Sequence, residues 1–183
     1  VNVVFHTAAL KHVDLCEANP FEAVATNIVG TIDVLKEAIL NGVQKVLSIS
    51  SDKAVHPINL YGATKLVAEK LTTGANVYGD TKFSCVRFGN FEASSGSFLG
   101  LLLNSNPEDE IPVTDKEMTR FWITLPNAAE FCIKCIDLME GGEIFIPKMP
   151  EKNLMETIEA FKPMAKIKVI GKRKGEKLNE MLY

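Results

Sequence analysis

The chain has 183 residues, 46% of them hydrophobic and 23% charged, which suits one domain with a real core. Its formal charge of -3 excludes a broad basic field for nucleic acid, so any anion site must be local. No apolar run approaches the roughly 18 residues that a membrane-crossing helix needs. Residue 1 is Val rather than Met, so a missing targeting segment carries no weight.

In chain order, three short β-branched or aromatic runs come first, at residues 1–5, 45–49 and 83–86. The gaps between them suit helical crossovers and are too long for hairpins. The first gap holds Phe21, Val24, Ile28, Ile32, Leu35 and Ile39 at helical spacing after Asn19-Pro20, and Asn41-Gly42 stops that helix. The second gap predicts a helix over 60–73, with Leu60, Ala63, Val67 and Leu71 on its apolar face. This β-α-β-α-β pattern is that of a doubly wound parallel sheet. Residues 90–112 read as irregular, with a short apolar piece at 98–103. Helices are expected over 126–139 and 154–161, and strands over 143–146 and 166–170. Breaks near Asn90 and Gly141 suggest that the later segments form a small cap over the sheet.

Four cysteines are present. Cys132 and Cys135 form a CxxC, yet both fall on an apolar helical stripe with Ala128, Phe131, Ile136 and Met139. No second half completes a metal site, so no metal is expected and two buried thiols are.

Polar residues follow each of the first three strands: His6-Thr7-Ala8-Ala9, Ser50-Ser51-Asp52-Lys53 and Arg87-Phe88-Gly89-Asn90. All lie at carboxyl strand ends, the edge where open parallel sheets bind ligands. Tyr61 and Lys65 sit four residues apart, on one face of the predicted helix. A phenol titrates near ~10 and is a poor base at neutral pH. A fixed cation beside it is expected to lower that value, so that Tyr61 takes a hydroxyl proton while hydride leaves the same carbon.

The stretches HTAALKHV (6–13), NPFEAVATNIVGT (19–31), SSDKAVHPINLYGATK (50–65), RFGN (87–90), TDKEMTRFWITL (114–125), GGEIFIPKMP (141–150) and GKRKGEKLNE (171–180) resemble the extended short-chain dehydrogenase/reductases. Within them they resemble the inverting UDP-N-acetylglucosamine 4,6-dehydratases of bacterial glycan biosynthesis. The family's Gly-rich phosphate loop has no counterpart here. The chain therefore reads as an internal fragment: the C-terminal part of a Rossmann-like sheet plus a small substrate-binding cap. Residues 1–90 are expected to be a partial dinucleotide-binding domain, and 91–183 mostly a sugar-nucleotide cap.

The resemblance implies an NADP-dependent dehydration of a UDP-sugar, with NAD as the other possible cofactor and inversion at C5. Ser51, Asp52, Lys53, Tyr61 and Lys65 would be catalytic. Tyr61 would take the C4 hydroxyl proton and Lys65 would hold the phenolate. Lys53 would be the base at C5, with a depressed pKa, and Asp52 the acid at the C6 oxygen. Ala8, Ala9, Lys11 and Asn27 would serve the cofactor beside Tyr61 and Lys65, though Asn27 also suits a brace for the active-site strand. Lys11, Asn90, Arg120, Arg173 and Glu176 would hold the UDP-sugar, and Arg87 is a further arginine suited to phosphate. A homo-oligomer and a cytoplasmic location are implied, although some such proteins carry an N-terminal membrane region. The piece alone is expected to be inactive. A UDP-sugar 4-epimerase, or a non-catalytic nucleotide-binding chain, are the other readings. Ser95, Lys174 and Asn179 depart from the usual Arg, Pro and His, and Glu92 adds an anion.

Overall fold

The computed structural model describes residues 1–92, 98–106 and 109–183; the Ser95 departure lies outside them. The three predicted strands are β1 (Val3–His6), β2 (Lys45–Ser51) and β3 (Lys82–Phe88), joined by β7 (Ile144–Phe145). They form one parallel sheet in the order β1-β2-β3-β7, with Leu47 level with Phe5 and Ser84.

Alternation along β2 and β3 decides which helix covers which face. Val46 and Phe83 pack with Leu35, Ala38, Val43 and Ala75 on one side. Leu47, Val86 and Phe88 pack with Ala128, Cys132 and Cys135 on the other. The first side is covered by α3 (Gly30–Leu40) and α4 (Leu60–Gly74), and the second by α6 (Leu125–Leu138). The sheet is thus wound on both faces, as the sequence pattern predicts. Full burial of a Leu or Phe contributes about 1.5–3 kcal/mol, so these two sets outweigh any local preference along the chain. The CxxC thiols belong to this core. Burial, with Cys132 beside it, pushes the Cys135 thiol up to about 12, so it stays protonated and packs as a small apolar group.

The α6 start is capped by Thr124, whose hydroxyl accepts from Asn127 N–H, with Pro126 in the first turn. The helix read across 20–41 is not uniform. It runs as α2 (Pro20–Val24), a π-helical turn over Ala25–Val29, and then α3. A short α1 (Val13–Ala18) precedes it.

The later segments include α5 (Phe98–Asn104) and α7 (Leu154–Phe161), and two small sheets. In one, β4 (Asn90–Phe91) pairs parallel with β6 (Thr119–Ile123), which pairs antiparallel with β8 (Glu151–Asn153). In the other, β5 (Glu110–Val113) pairs parallel with β9 (Lys166–Val169). A second core of Leu102, Ile111, Val113, Met118, Trp122, Leu154 and Ile158 lies between them. The stretch expected to be irregular therefore contains β4 and reaches β5. Their partners lie far along the chain, so no local pattern announces them. After β9 the chain runs to Tyr183 without a further helix or strand. Among the described residues no helix is long and apolar enough to cross a membrane.

Candidate active site

The site begins where β2 ends. Ser51 caps a single 3-10 turn, Asp52–Ala54, its hydroxyl accepting from Lys53 N–H at 3.2 Å. Helix α4 then starts at Asn59, whose side-chain oxygen accepts from Gly62 N–H at 2.7 Å. A Cβ at Gly62 would stand 2.2 Å from the Lys53 carbonyl oxygen, so only glycine lets α4 press this close to the turn. That approach brings Tyr61 beside Ser51 and Lys53.

A cleft of about 350 Å³ opens at the carboxyl ends of β1, β2 and β3. Ser51, Lys53, Tyr61, Lys65, Ala9, Lys11 and Asn90 all line it, together with Thr7, His12, Ser50 and Gly89. The convergence expected at one sheet edge is therefore present. Gly89 is a second close approach: its Cβ would lie 2.6 Å from the Phe121 carbonyl oxygen.

The polar chain inside is continuous. Ser51 Oγ donates to Asp52 Oδ1 at 2.9 Å, and Lys53 Nζ reaches the same oxygen at 3.0 Å. Lys53 Nζ also donates to Asn90 Oδ1 at 3.3 Å and stands 3.8 Å from Glu180 Oε1. Lys53 and Ser51 are the neighbours that favour the ionised form of the Tyr61 phenol. Lys65 Nζ donates to the Ile49 carbonyl at 2.5 Å. Asp52 is wholly buried behind Ser51 and Lys53 and does not itself line the cleft; its Oδ2 has no hydrogen-bond partner.

Two expectations need correction. Burial dominates Tyr61 and pushes its phenol above the ordinary value of 10.0; Lys53 and Ser51 pull downward without winning. The cation acting on the phenol is Lys53, while burial lowers Lys65. Lys53 itself is not depressed. Burial opposes its charge, but Asp52, Glu180 and Tyr61 together hold it above its ordinary value. Both groups therefore rest protonated at neutral pH in the unliganded chain.

Asn27 does not reach the cleft. It is 1% exposed on the π-helical turn, accepts from Leu10 N–H at 2.8 Å and donates to Leu10 O and Thr64 Oγ1 at 3.0 Å each. It braces the loop after β1 against α4 rather than a strand, so its role here is structural but not the strand brace expected for it. Ala8 lies exposed in the same loop, outside the cleft lining.

A second groove of about 510 Å³ shares Asn90 and Phe98 with the cleft and is lined by Arg120, Arg173 and Glu176. Arg173 is exposed there. Arg120 is spent otherwise: its guanidinium donates to the Thr119, Leu178 and Lys177 carbonyls and stands 3.6 Å from Glu176. Arg87 is not near phosphate-binding geometry either. It makes a bidentate pair with Glu69, at 2.7 Å on both arms, and donates to Leu182 O. Glu92 lines a different groove beside Trp122 and Lys134. Among the described residues no group of His, Cys, Asp and Glu could hold a metal ion.

The irregular C-terminal stretch supplies what the sequence pattern does not show. Lys177 Nζ donates to Val55 O and pairs with Glu180 at 3.3 Å, and Asn59 Nδ2 donates to Gly175 O at 2.8 Å. In the sequence Ser50 is only part of a polar run; its hydroxyl is buried without a partner in the cleft wall.

The family described as "Polysaccharide biosynthesis protein" matches residues 1–183. An uncharacterized membrane protein of Methanocaldococcus jannaschii is 48% identical, covering 100% of this chain and 59% of that protein. A UDP-N-acetylglucosamine 4,6-dehydratase (inverting) of Campylobacter jejuni is 44% identical, covering 100% of this chain and 56% of its own length. A UDP-glucose 4-epimerase of Rickettsia bellii is 39% identical with the same coverage. Among solved structures, Pen from Bacillus thuringiensis superposes with a TM-score of 0.88 at 43% identity, covering 97% of this chain and 58% of that one. The chain spans little more than half the length of these relatives. It belongs to the polysaccharide biosynthesis protein family, within the extended short-chain dehydrogenase/reductases.

Proposed function

We propose that the whole protein bearing this chain dehydrates UDP-N-acetylglucosamine to a 4-keto-6-deoxy UDP-sugar, inverting C5, with NADP as cofactor. The observation that carries the reading is the Asp52–Lys53 pair, 3.0 Å apart, with Lys53 beside Tyr61 in the cleft wall and Asp52 buried directly behind it. Oxidation and reduction at C4 alone need a phenol and a hydroxyl; a second acid–base pair serves an elimination.

The cleft wall fits a nicotinamide cofactor in one respect of its own: the buried Ser50 hydroxyl has no partner and faces a space lined by Tyr61, Lys65 and Ala9. These residues, with Lys11, would hold it, and when bound it would accept hydride from C4 and return it to C6. Tyr61 rests as a phenol, so it must first release that proton to solvent through the open cleft, and as the phenolate it takes the C4 hydroxyl proton as the ketone forms. The ketone acidifies the C5 hydrogen, and Lys53 removes that proton. Asp52, reached through Ser51 and Lys53, supplies the proton with which the C6 oxygen leaves as water. C5 is reprotonated from the opposite face by water in the cleft, and the proton held by Lys53 restores that water. Lys53 is held charged at rest, so its proton must first pass to Asp52 Oδ1, 3.0 Å away, which yields the neutral amine that takes the C5 proton and the neutral acid that protonates the C6 oxygen. Arg173, Glu176 and Asn90 line the groove suited to the UDP end. The division into a cofactor part over 1–90 and a cap over most of 91–183 belongs to this reading, as do a homo-oligomer and cytoplasmic action.

A 4-epimerase is the second reading, favoured by the 39% identity to the Rickettsia protein. Incubating the full-length protein with UDP-N-acetylglucosamine and NADP tests both by mass and proton NMR. Loss of one water with a new C6 methyl signal supports the dehydratase. An unchanged mass with a shifted C4 proton supports the epimerase.

A further inference from the structure

The C-terminal segment carries two charged residues into the catalytic turn. Glu180 is 6% exposed, and its Oε1 stands 3.8 Å from Lys53 Nζ. Its other oxygen, Oε2, is buried without a hydrogen bond and faces Lys177 Nζ at 3.3 Å. Lys177 is anchored in turn to Val55 O, one residue past the catalytic turn. The result is a row of alternating charge, Lys177, Glu180, Lys53, Asp52, in which the two carboxylates are buried and the two lysines half-buried. Glu180 sits at its middle and comes from outside the β2–α4 unit that supplies the other groups.

We infer that Glu180 is a positioning residue for Lys53. It holds the ammonium head between two carboxylates, over the cleft and against Asn90, and Lys177 limits how strongly it does so. The role assigned to Lys53 rests on the dehydratase reading; the coupling between Glu180 and Lys53 does not.

The groups facing Lys53 are Asp52 on its own turn, Tyr61 from α4, Asn90 from β4 and Glu180 from the C-terminal segment. Lys11, His12 and Lys65 line the same cleft. Removing the Glu180 charge takes away a partner that favours the ammonium, so Lys53 should lose its proton at lower pH. Removing Lys177 leaves Glu180 facing Lys53 alone, so Lys53 should hold its proton to higher pH. The two changes are predicted to act in opposite directions, whereas loosening of a merely structural segment would move both the same way.

The experiment uses the full-length protein and its Glu180→Gln, Glu180→Asp and Lys177→Met variants. Acetic anhydride labelling of Lys53, read by mass spectrometry against pH, gives its proton affinity without any turnover. Glu180→Gln should lower the midpoint by about one pH unit, the lower end of what an opposite charge this near imposes. Lys177→Met should raise it, and Glu180→Asp should leave it closer to the parent. The pH profile for loss of water from UDP-N-acetylglucosamine should move in the same sense. Equal midpoints in all four proteins overturn the inference, as does a shift in the same direction for both charge removals. If the parent releases no water, the dehydratase reading fails, and the labelling midpoints still decide the coupling.

Discussion

Two regions meet at the cleft and are built differently. The β2–α4 unit, residues 45–74, places Ser51, Lys53, Tyr61 and Lys65 through regular structure: a parallel strand, a capped turn, and a helix drawn in by Gly62. The segment after β9 has no helix or strand, yet it delivers Glu180 to Lys53 and lines the neighbouring groove with Arg173 and Glu176. Side chains from elsewhere hold it by its carbonyls: Asn59 to Gly175, Arg120 to Lys177 and Leu178, and Arg87 to Leu182. One half of the site is made by propensity and register, and the other by polar side chains acting as staples. Damage to the first should abolish chemistry or cost global stability, whereas damage to the second should release a segment.

The largest effect should come from Tyr61→Phe in the full-length protein. The ring still fills its pocket, but the group that the proposed reaction uses as proton acceptor is gone, so turnover should fall about 10²–10⁴-fold with little change in melting temperature. Retention of a tenth of the parent rate would remove Tyr61 from the chemistry. Next is Glu69→Gln, which strikes both regions together. Glu69 is 1% exposed, and its loss leaves the Arg87 guanidinium without its charge partner, while Arg87 also holds Leu182. Breaking a buried pair from one side costs about 3–5 kcal/mol, visible in denaturant unfolding.

The same contrast explains how much the sequence could show. The strands at 45–51 and 82–88 and the helix at 60–74 carry their signal locally, in β-branched runs and 3.6-residue spacing, and the structure departs from the predicted bounds by at most two residues. Helix 154–161 matches its predicted span. Strands β5 and β9 pair across the whole later half of the chain, so the pairing of Glu110 with Lys166 leaves no trace in either neighbourhood. Arginines look alike in a sequence. Only the fold shows that Arg87 is spent on Glu69, Arg120 on backbone carbonyls, and Arg173 on neither. Glu180 lay within the quoted stretch 171–180 but has no spacing that ties it to Lys53. The protonation of Tyr61 and Lys53 is hidden from the sequence for a related reason. A four-residue spacing predicts a neighbour, but burial and the direction of the Lys65 head decide its electrostatic effect.

Arg120→Met tests the staples. Its aliphatic stem can be replaced in volume, but three bonds to carbonyls are lost. Bonds from charged donors contribute about 1.5–3 kcal/mol. Hydrogen exchange should rise across residues 175–180 while β2 and β3 stay protected. A uniform rise would mean that the segment is part of the main cooperative unit. On the other side of the comparison, Gly62→Ala forces a Cβ against the Lys53 carbonyl, 2.2 Å away. Overpacking of this kind costs about 1–3 kcal/mol, and here it also pushes α4 off the Asp52–Ala54 turn. The expected signature is a modest drop in melting temperature with a larger proportional drop in turnover.

The smallest effect concerns acid. Glu143 accepts from Glu140 N–H and Gly141 N–H and from the Ser84 hydroxyl, clamping the turn before β7 to β3. Burial works against its charge, but those bonds together hold its carboxyl below the ordinary 4.5. A carboxyl with a lowered folded pKa contributes stability above its unfolded pKa and loses it as pH falls through the folded one. Stability should therefore decline from about pH 4.5 downward through this group. Glu143→Gln keeps an acceptor oxygen but cannot titrate, so the part of the acid decline due to Glu143 should vanish while behaviour at pH 7 changes little. The clamp joins elements of the main sheet and touches no residue of the C-terminal segment. Exchange at 175–180 should therefore be the same in Glu143→Gln and parent at every pH, and a difference there would mean that the two regions share their acid response.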